Sequence, residues 1–570
     1  MSTSDLPMAG MENMMVHSLP ITEIQLNAFG SYGLGTGQNW GFIRGVRSQL
    51  ATDFNFDIQT LTYNQNHNFR GGIDWFLGSK QTIGIQVNGI LGNTDKVTDT
   101  YSENIIRETG LVRDILVSQN QNDEKKNQIN LNLNYQFRGT DGSGLNLDID
   151  YGKFDFQTLA FQPNTLYAPG KTSILGTEDF SSKAPNIIDI QTLQLDYHRP
   201  VWEGNLALGG KLSKVTTDNS FSLFNIVNEL NVLDSARSSS FLYREKVNAG
   251  YISFEKKLEK IRFQLGLRAE HTNILGDLTR VAKQNTSDRA VDSGYVSLFP
   301  SANLNYQFNK NHTTQISYQR RIRRPNYQNL NPFEVRWSSD AFRWGNPFLK
   351  PQFSDKFEIS HSYKSLQFSL AYTETRDFMS MITDTLDDNT VYLTWINLDS
   401  RKVANANVYY SFKPIKGKTW NVVTNASVSY AQNKLDLGPG KEVNLTYTAF
   451  TLFHQHNFTL PGKFIMNVTG QYFSPTVWGA NFVNRQRFRI NAGIQKKFLN
   501  KKANVNLAIT DILNTYGWKA TQELGALAID MRGGGETRQI KMSFSYLFGN
   551  AKMGVKQRNT GIDSEKQRTQ

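Results

Sequence analysis

Residues 317–363 read SYQRRIRRPNYQNLNPFEVRWSSDAFRWGNPFLKPQFSDKFEISHSY, and the interpretation of the whole chain starts from this stretch. On both sides of it apolar and polar residues alternate, which is the period of a β-strand with one apolar and one polar face. Between the two strands, turns rich in Pro, Gly and Asn follow Arg320, Arg321, Arg323 and Arg324. Because these residue types end strands and favour turns, one strand leads into a long structured loop and another leaves it.

The same alternation recurs between residues 21 and 548 and predicts an all-β chain. It is plainest where large apolar residues alternate with Asn and Gln, at Ile129, Leu131, Leu133, Tyr135 and Phe137. A helix would scatter these residues around its surface, whereas a strand places them on one face. Repeating runs of this kind predict about 22 antiparallel strands. The polar stretch 94–126 lacks the pattern and is predicted to be an external loop.

The composition is compatible with a membrane barrel, although the mean hydropathy of the 570 residues is −0.47. A membrane barrel exposes only alternate residues to lipid, so its average hydropathy stays low. The sequence contains no uncharged apolar run long enough for a transmembrane helix. Aromatic residues make up 12% of the chain, which fits the aromatic girdles of barrels. A secreted β-sandwich or propeller array, also rich in Tyr and Trp, is the alternative.

The cysteine count and the charge exclude several classes of function. The chain has no Cys, which removes thiol catalysis, Cys-based metal sites and a disulfide framework. The formal net charge is +12, and the basic residues are spread along the chain except at Arg320–Arg324. We therefore expect no nucleic-acid partner, and we expect the basic residues to face anionic lipopolysaccharide or an anionic ligand. The arginine cluster is interpreted as a wall strand that Pro325 ends.

Three linked motifs in the opening stretch carry a family resemblance. They are Arg321–Pro325 (RIRRP), Leu330–Phe333 (LNPF) and Gly345–Pro351 (GNPFLKP). In this order they resemble the Bacteroidetes-type outer-membrane β-barrel family, which is the barrel half of TonB-dependent receptors. The resemblance covers nearly the whole chain and implies a large transmembrane antiparallel β-barrel in a Gram-negative outer membrane. It also implies import of a scarce nutrient ligand.

The resemblance further implies a plug domain and an energy-coupling box before the barrel, and neither is recognised in this chain. The predicted segments are an N-terminal remnant at 1–20, the barrel at 21–549 and a polar, disordered tail at 550–570. Since residues 1–18 lack the regions of a signal peptide, we expect a fragment, a processed form or a truncated product. The TonB energy complex is an expected partner only if the full-length protein has a plug.

Candidate site residues are few. Arg336, Trp337, Arg343 and Trp344 form a hypothetical ligand-binding set, because Arg and Trp favour anionic or flat partners. His454 and His456 lie two residues apart on a strand, and without a third ligand at fixed spacing we interpret them as a surface or lumen pair. The oxygen-rich Asp384, Asp387, Asp388 and Asn389 lack the spacing of a calcium-binding EF-hand. We therefore expect no metal, no cofactor and no catalytic residues.

These observations predict a receptor-like barrel for nutrient uptake. A plugless pore and a structural or assembly barrel are the alternatives, and a barrel enzyme is the least favoured. The expected partners are outer-membrane lipid and lipopolysaccharide, a ligand of unknown identity and the outer-membrane assembly machinery. The last of these is expected because the strand Arg538–Phe548 resembles the aromatic-ended closing strand that this machinery reads.

Overall fold

The structure is a computed structural model, and it describes residues 11–12, 20–21, 24–283, 287–386, 390–415, 419–438, 441–546 and 561–569. Within them almost everything is β-strand and belongs to one large sheet, which confirms the predicted all-β class. Short 3-10 turns lie at Pro169–Lys171, Val281–Lys283, Tyr327–Leu330, Pro461–Lys463 and Gln567–Thr569. In the described residues one α-helical turn, α1, spans Asp563–Lys566.

The strands up to the motif-rich loop are, in chain order, β1 (Met11–Glu12), β2 (Pro20–Ile21), β3 (Ile24–Gln49), β4 (Thr52–Leu77), β5 (Gln81–Ile106), β6 (Val112–Arg138), β7 (Gly144–Gln162), β8 (Asn164–Tyr167), β9 (Ile174–Thr177), β10 (Asp179–Val201), β11 (Gly204–Val227), β12 (Leu230–Leu233), β13 (Ser239–Lys257), β14 (Ile261–Arg280), β15 (Ser287–Asn309) and β16 (His312–Arg323). The remaining strands are β17 (Val335–Ser338), β18 (Ala341–Arg343), β19 (Gln352–Tyr363), β20 (Leu366–Thr385), β21 (Val391–Phe412), β22 (Trp420–Asp436), β23 (Glu442–Leu460), β24 (Phe464–Phe473), β25 (Thr476–Trp478), β26 (Phe482–Asn484), β27 (Arg487–Phe498), β28 (Ala503–Thr510), β29 (Trp518–Leu524), β30 (Leu527–Gly535) and β31 (Gln539–Tyr546).

The barrel wall consists of strands that pair one after another along the chain, each antiparallel to the wall strand before it. In the described chain there are twenty of them, close to the predicted count: β3–β7, β10, β11, β13–β16, β19–β24, β27, β28 and β31. At the seam, β30 pairs with Gly41–Gln49 of β3, while β1 and β2 lie along the earlier part of that strand. Neighbouring strands of the wall therefore follow one another in the order of the sequence.

The two faces of the wall differ as the alternation predicted. On β6, Asn130 and Asn132 are each 4% exposed, whereas Leu131 and Leu133 are 46% and 44% exposed. The apolar side chains point outward and the polar ones point into the lumen, which is the arrangement expected of a wall surrounded by lipid. Register continues the pattern onto β7, where Leu131 lies opposite Tyr151.

The two ends of the barrel also differ. At one end the wall strands are joined by short turns, such as 78–80, 202–203 and 364–365, and at the other by longer segments, such as 324–351 and 511–538. In outer-membrane barrels the short turns are periplasmic and the long loops extracellular. A girdle of close ring pairs lies near the short turns: Tyr306–Phe308, His312–Tyr363, Tyr410–Phe412 and Trp420–Phe458.

The stretch 94–126 corrects one prediction, because it is not an external loop. β5 and β6 run through it and stay in register from Gln81–Phe137 up to Asn104–Asp114, with a turn only at 107–111. Strands of 26 and 27 residues extend beyond the lipid, so both faces there meet water. Without a lipid-facing side, the sequence loses the alternation on which the prediction depended.

The C-terminal residues 561–569 also differ from expectation, since they form helical turns instead of a disordered tail. They lie in the lumen, where Ile562 is 2% exposed and packs in the main apolar cluster. Residues 550–560 and 570 lie outside the described residues. The predicted limits of the three segments stay predictions.

Candidate functional site

The motif-rich segment 324–351, which we call the crossing loop, folds into the lumen. Tyr327 and Leu330 are 1% and 2% exposed, and they belong to an apolar cluster with the inward-facing wall residues Ile188, Val215 and Tyr243. Burying side chains of this size stabilises the folded state by about 1.5–3 kcal/mol each. The loop is therefore part of the interior of the barrel and is not an external loop.

Two of the sequence motifs hold the crossing loop together by backbone hydrogen bonds. The Gly345 amide donates to the Asn331 carbonyl at 2.9 Å, and the Asn346 amide donates to the Asn329 carbonyl at 2.7 Å. A Cβ on Gly345 would lie within 2.4 Å of the Asn331 carbonyl oxygen, so only glycine allows this approach. The LNPF and GNPFLKP motifs thus meet in space, which explains why the loop needs both.

The near side of the crossing loop is fixed to the wall by Arg324. Its guanidinium donates to the Glu270 carboxylate at 2.6 Å and to the Thr272 hydroxyl at 2.9 Å, both on β14. Further along, the Asn331 side chain donates to Asn219 on β11 at 3.2 Å. Arg324, the last residue of the predicted arginine cluster, is therefore an anchor of the loop.

The far side of the loop reaches the opposite wall. Arg47 on β3 donates to the Asp340 carboxylate at 2.6 Å, and the β18 residues Ala341–Arg343 pair in parallel with Val391–Leu393 of β21. The β21 residues in this pairing lie beyond the part of the strand that pairs with β22, which begins at Ser400. The loop thus spans the lumen near the long-loop end and covers a free strand edge there.

Arg336, the first of the predicted ligand-binding residues, is held by its own loop. It donates to the Glu334 carboxylate at 2.7 Å and to the Ser339 carbonyl at 3.0 Å. The guanidinium also lies over the Phe180 ring at 5.3 Å from its centroid. A structural role for Arg336 therefore has direct geometric support.

The other three predicted residues have different surroundings. The Trp344 ring packs 5.0 Å from Tyr392, whereas Trp337 is 43% exposed and the Arg343 side chain is also exposed. Surrounding protein removes part of the hydration of Arg343 and lowers its pKa, an effect that the Glu124 carboxylate opposes. Arginine side chains stay protonated in proteins, so Arg343 keeps its positive charge. Arg343 and Trp337 are thus the members of the set whose side chains are exposed.

The histidine pair lies on the outer face and not in the lumen. The rings of His454 and His456 are 4.6 Å apart, and His456 accepts a hydrogen bond from the Trp420 indole at 3.1 Å. His454 pairs across the strands with Thr424 at 2.9 Å. Among the described residues no group of three or more His, Cys, Asp or Glu is arranged to hold a metal ion.

The predicted oxygen-rich loop is described only in part. Asp384 forms an ion pair with Lys441 at 2.6 Å, so its charge is already compensated. Asp387, Asp388 and Asn389 lie outside the described residues. Across the part of the chain that is described, no helix is both long enough and apolar enough to span a membrane.

Sequence reasoning missed two carboxylates that organise the interior, Asp340 and Glu245. Asp340 lies within residues 317–363, and an acidic residue in a loop rich in arginine is a signal for an internal ion pair. Glu245 gives no such signal, because it sits in an ordinary polar position of β13. It is 2% exposed and pairs with Arg568 of the C-terminal segment at 2.5 Å.

Comparison with known proteins assigns the family. The model of the outer membrane protein beta-barrel family matches residues 136–546, and the chain belongs to this family. The ferric-catecholate import receptor Fiu from K12 E. coli is 10% identical, with a TM-score of 0.53 over 88% of this chain and 82% of that chain. The copper transporter OprC is 10% identical, with a TM-score of 0.51 over 88% of this chain and 80% of that chain. No curated protein matches.

These findings confirm the predicted fold and location. The protein is an outer-membrane β-barrel, and at 10% identity the two solved structures show a shared barrel fold. Both are described as an import receptor or a transporter and not as enzymes. A Bacteroidetes origin stays a prediction.

Proposed function

We propose that this outer-membrane barrel is a receptor that takes up a nutrient ligand through its lumen. Family membership and the barrel shared with an import receptor and a copper transporter support the proposal. Residues that present charge and aromatic surface on a loop across the lumen are what a receptor needs near its extracellular mouth. The TonB energy complex belongs to this proposal only if the full-length protein carries a plug.

The observation that carries the proposal is the exposure of Arg343 and Trp337 on a loop that is otherwise well anchored. Arg343 has no ion pair within 4.0 Å among the described residues, and Trp337 is 43% exposed. Phe348, on the same loop, is 68% exposed. A rigid loop that leaves a guanidinium and aromatic rings open to water is preorganised to bind an anionic or flat ligand.

Lipopolysaccharide is the membrane partner that the outer surface fits. Arg44 on β3 lies directly opposite Arg532 on β30, which in turn lies opposite Lys519 on β29. Like charges opposite each other destabilise a sheet unless an anion compensates them. These residues line a cavity of about 730 Å³ on the outer face at the long-loop end, together with Arg485 and three carboxylates, Asp57, Glu103 and Asp530, and Arg44 pairs with Asp57 at 2.9 Å. The lining carries four basic and three acidic residues, and a phosphate group of lipopolysaccharide would balance the excess positive charge.

The receptor proposal is tested by equilibrium binding to the purified full chain in detergent. The probes are a radiolabelled ferric tricatecholate and Cu²⁺, chosen because the two barrels of similar fold handle such ligands. We expect saturable binding of one probe, and at least a tenfold weaker affinity when Arg343→Ala and Trp337→Ala are combined. The loss reflects a removed charge–ligand contact and a removed aromatic surface.

The matched control is Arg138→Ala, which removes an exposed arginine at the short-turn end that contacts Gln136. It should bind the probe like the unaltered protein. Unchanged binding by the Arg343–Trp337 double variant would remove these residues from the site. If neither probe binds and the protein conducts ions steadily in planar bilayers, the passive-pore alternative replaces the receptor.

A further inference from the structure

The lumen contains a pocket that holds a guanidinium group from three sides. Arg568 donates to both oxygens of the Glu245 carboxylate, at 2.5 and 3.0 Å, and its Nε donates to the Pro325 carbonyl at 2.9 Å. The Tyr327 ring covers the guanidinium face, 4.2 Å from its centroid. Glu245, Tyr327 and Arg568 are 2%, 1% and 8% exposed, so the pocket excludes water.

The pocket is specific for a planar cation. The Glu245 carboxylate also accepts a hydrogen bond from Tyr243 at 2.9 Å. Its other hydrogen bonds are accepted from the guanidinium. A lysine ammonium could pair with the charge, but it lacks the planar fork that matches two carboxylate oxygens. Burial disfavours the charged form of Arg568, yet the adjacent Glu245 raises its pKa well above the ordinary value. Arg324 also acts electrostatically on this buried carboxylate, and Arg568 provides its direct ion pair.

The rest of the C-terminal segment 561–569 fills the lumen beside the pocket. Lys211 on β11 pairs with Glu565 at 2.8 Å and also donates to the Ser564 hydroxyl at 2.8 Å. Ile562 packs in the apolar cluster that includes Phe154 and Leu330. The segment therefore makes charged, polar and apolar contacts inside the lumen.

The segment joins the crossing loop to the wall. Pro325 and Tyr327 belong to the loop, whereas Glu245 belongs to β13, and Arg568 contacts all three. The last described residue of the final wall strand, Tyr546, lies opposite Ala503 and beside the short turn 499–502, at the periplasmic end. The contacts of the segment with the wall strands are side-chain contacts, so the segment can leave the lumen without breaking any strand pairing.

We propose that Glu245, Tyr327 and the Pro325 carbonyl form a guanidinium-binding pocket, and that the chain's own C-terminal segment occupies it as a displaceable stopper of the lumen. Its ligands are guanidinium-bearing peptides, of which the segment GIDSEKQRT (residues 561–569) is the built-in one. This goes beyond uptake of a nutrient, because the docked segment occupies the lumen whether or not a nutrient binds the crossing loop.

The first experiment measures docking of the segment in the full chain. Because the chain has no Cys, Thr569→Cys gives a single labelling site, and Thr569 is 1% exposed. We expect maleimide to label it at least tenfold more slowly than Ser79→Cys in an exposed short turn. Adding Arg568→Ala or Glu245→Gln should raise the rate at least tenfold, whereas Gln567→Ala, an exposed neighbour, should leave it unchanged.

The second experiment measures closure in planar bilayers. A chain ending at Tyr546 should conduct more than the full chain, and the synthetic peptide GIDSEKQRTQ should block it from the short-turn side. The peptide carrying Lys in place of Arg568 should need at least a tenfold higher concentration, because it lacks the bidentate contact. Folding of each variant is checked by its heat-dependent mobility on gels, and Arg568→Ala leaves the wall sequence untouched.

Two results would overturn the proposal. Rapid labelling of Thr569→Cys in the otherwise unaltered chain, or labelling that Arg568→Ala and Glu245→Gln leave unchanged, would show that the pocket does not hold the segment. Equal conductance with and without the segment, or equal block by the Arg and Lys peptides, would show that it is no stopper. None of these results depends on a nutrient, so they do not test the receptor proposal, which the binding experiment above tests separately.

Discussion

The crossing loop and the C-terminal segment both lie in the lumen, but they are held there in different ways. The loop is joined to wall strands at both ends, and backbone hydrogen bonds such as Trp344 to Leu393 at 3.1 Å fix it. The segment is held by side-chain contacts, mainly the ion pairs of Glu565 and Arg568. The loop is therefore a permanent part of the barrel, whereas the segment is suited to leave.

This difference has an energetic basis. Undocking the loop breaks backbone pairing to β21 and exposes the buried Leu330 while both ends stay tied to the wall. Undocking the segment exchanges buried ion pairs for hydrated charges and restores chain entropy, and these gains offset much of the lost contact energy. Two elements in the same cavity can thus differ widely in local stability.

The largest expected effect compares matched truncations in one apolar cluster. Leu330→Ala should lower the free energy of unfolding by about 3 kcal/mol, because a buried loop side chain leaves a cavity. Ile562→Ala should lower it by less than about 0.5 kcal/mol, because the segment undocks locally before the wall unfolds. Urea unfolding in detergent micelles, followed by tryptophan fluorescence, measures both. Equal losses would mean that loop and segment unfold as one unit.

The next effect tests the contact between the two loop motifs. Gly345→Ala should destabilise the protein by about 2 kcal/mol, because its Cβ has no space beside the Asn331 and Asn329 carbonyls. The same unfolding measurement checks it. Gly250→Ala on β13 is the control, since nothing lies within 4 Å of a Cβ built there. A change of similar size in both variants would contradict the proposed close approach.

A smaller effect tests the far anchor of the loop. Asp340→Asn should cost about 1–2 kcal/mol, because it leaves the Arg47 guanidinium buried without a counter-charge. Protease cleavage within 335–343 should also become faster. Asp53→Asn breaks the more exposed pair with Arg107 and should cost at most about 0.5 kcal/mol. If both substitutions lower the free energy of unfolding equally, the Arg47–Asp340 pair does not anchor the loop more strongly than an exposed ion pair would.

The smallest effect separates loop from segment by ionic strength. Raising salt from about 0.1 to 1 M shortens the Debye length from about 10 to 3 Å. Labelling of Thr569→Cys should rise about twofold, because the segment depends on ion pairs whose separated charges salt screens. A cysteine at Leu330 should show no such rise, after correction by the rate at Ser79→Cys. A rise at both positions would mean that salt loosens the whole interior.

The wall could be predicted from the sequence because lipid imposes one rule on every strand. Ile129 to Phe137 alternate with amides, and the structure shows the corresponding exposed and buried faces. The end of β16 at Arg323 was likewise readable from Pro325. The rule applies only within the lipid, which is why the strands through 94–126 were missed.

The interior could not be predicted in the same way. A loop outside the barrel and a loop folded into it can both be rich in Arg, Trp, Pro and Gly. The motifs therefore predicted that a loop is present, but not that it lies in the lumen. Of the four hypothetical ligand residues, the pattern could not separate Arg336, satisfied by Glu334, from the open Arg343. The C-terminal segment has no periodicity, and its fit depends on Glu245 and Lys211, which are remote in sequence.

The Arg47–Asp340 pair has a consequence for biogenesis. It joins positions 293 residues apart and links the first wall strand to a loop in the middle of the chain. Closing so long a chain segment carries an entropic cost, so such a contact forms late in folding. Arg47 can reach Asp340 only after the intervening strands have curved around the lumen. Formation of the pair therefore reports that the sheet has closed into a barrel around the crossing loop.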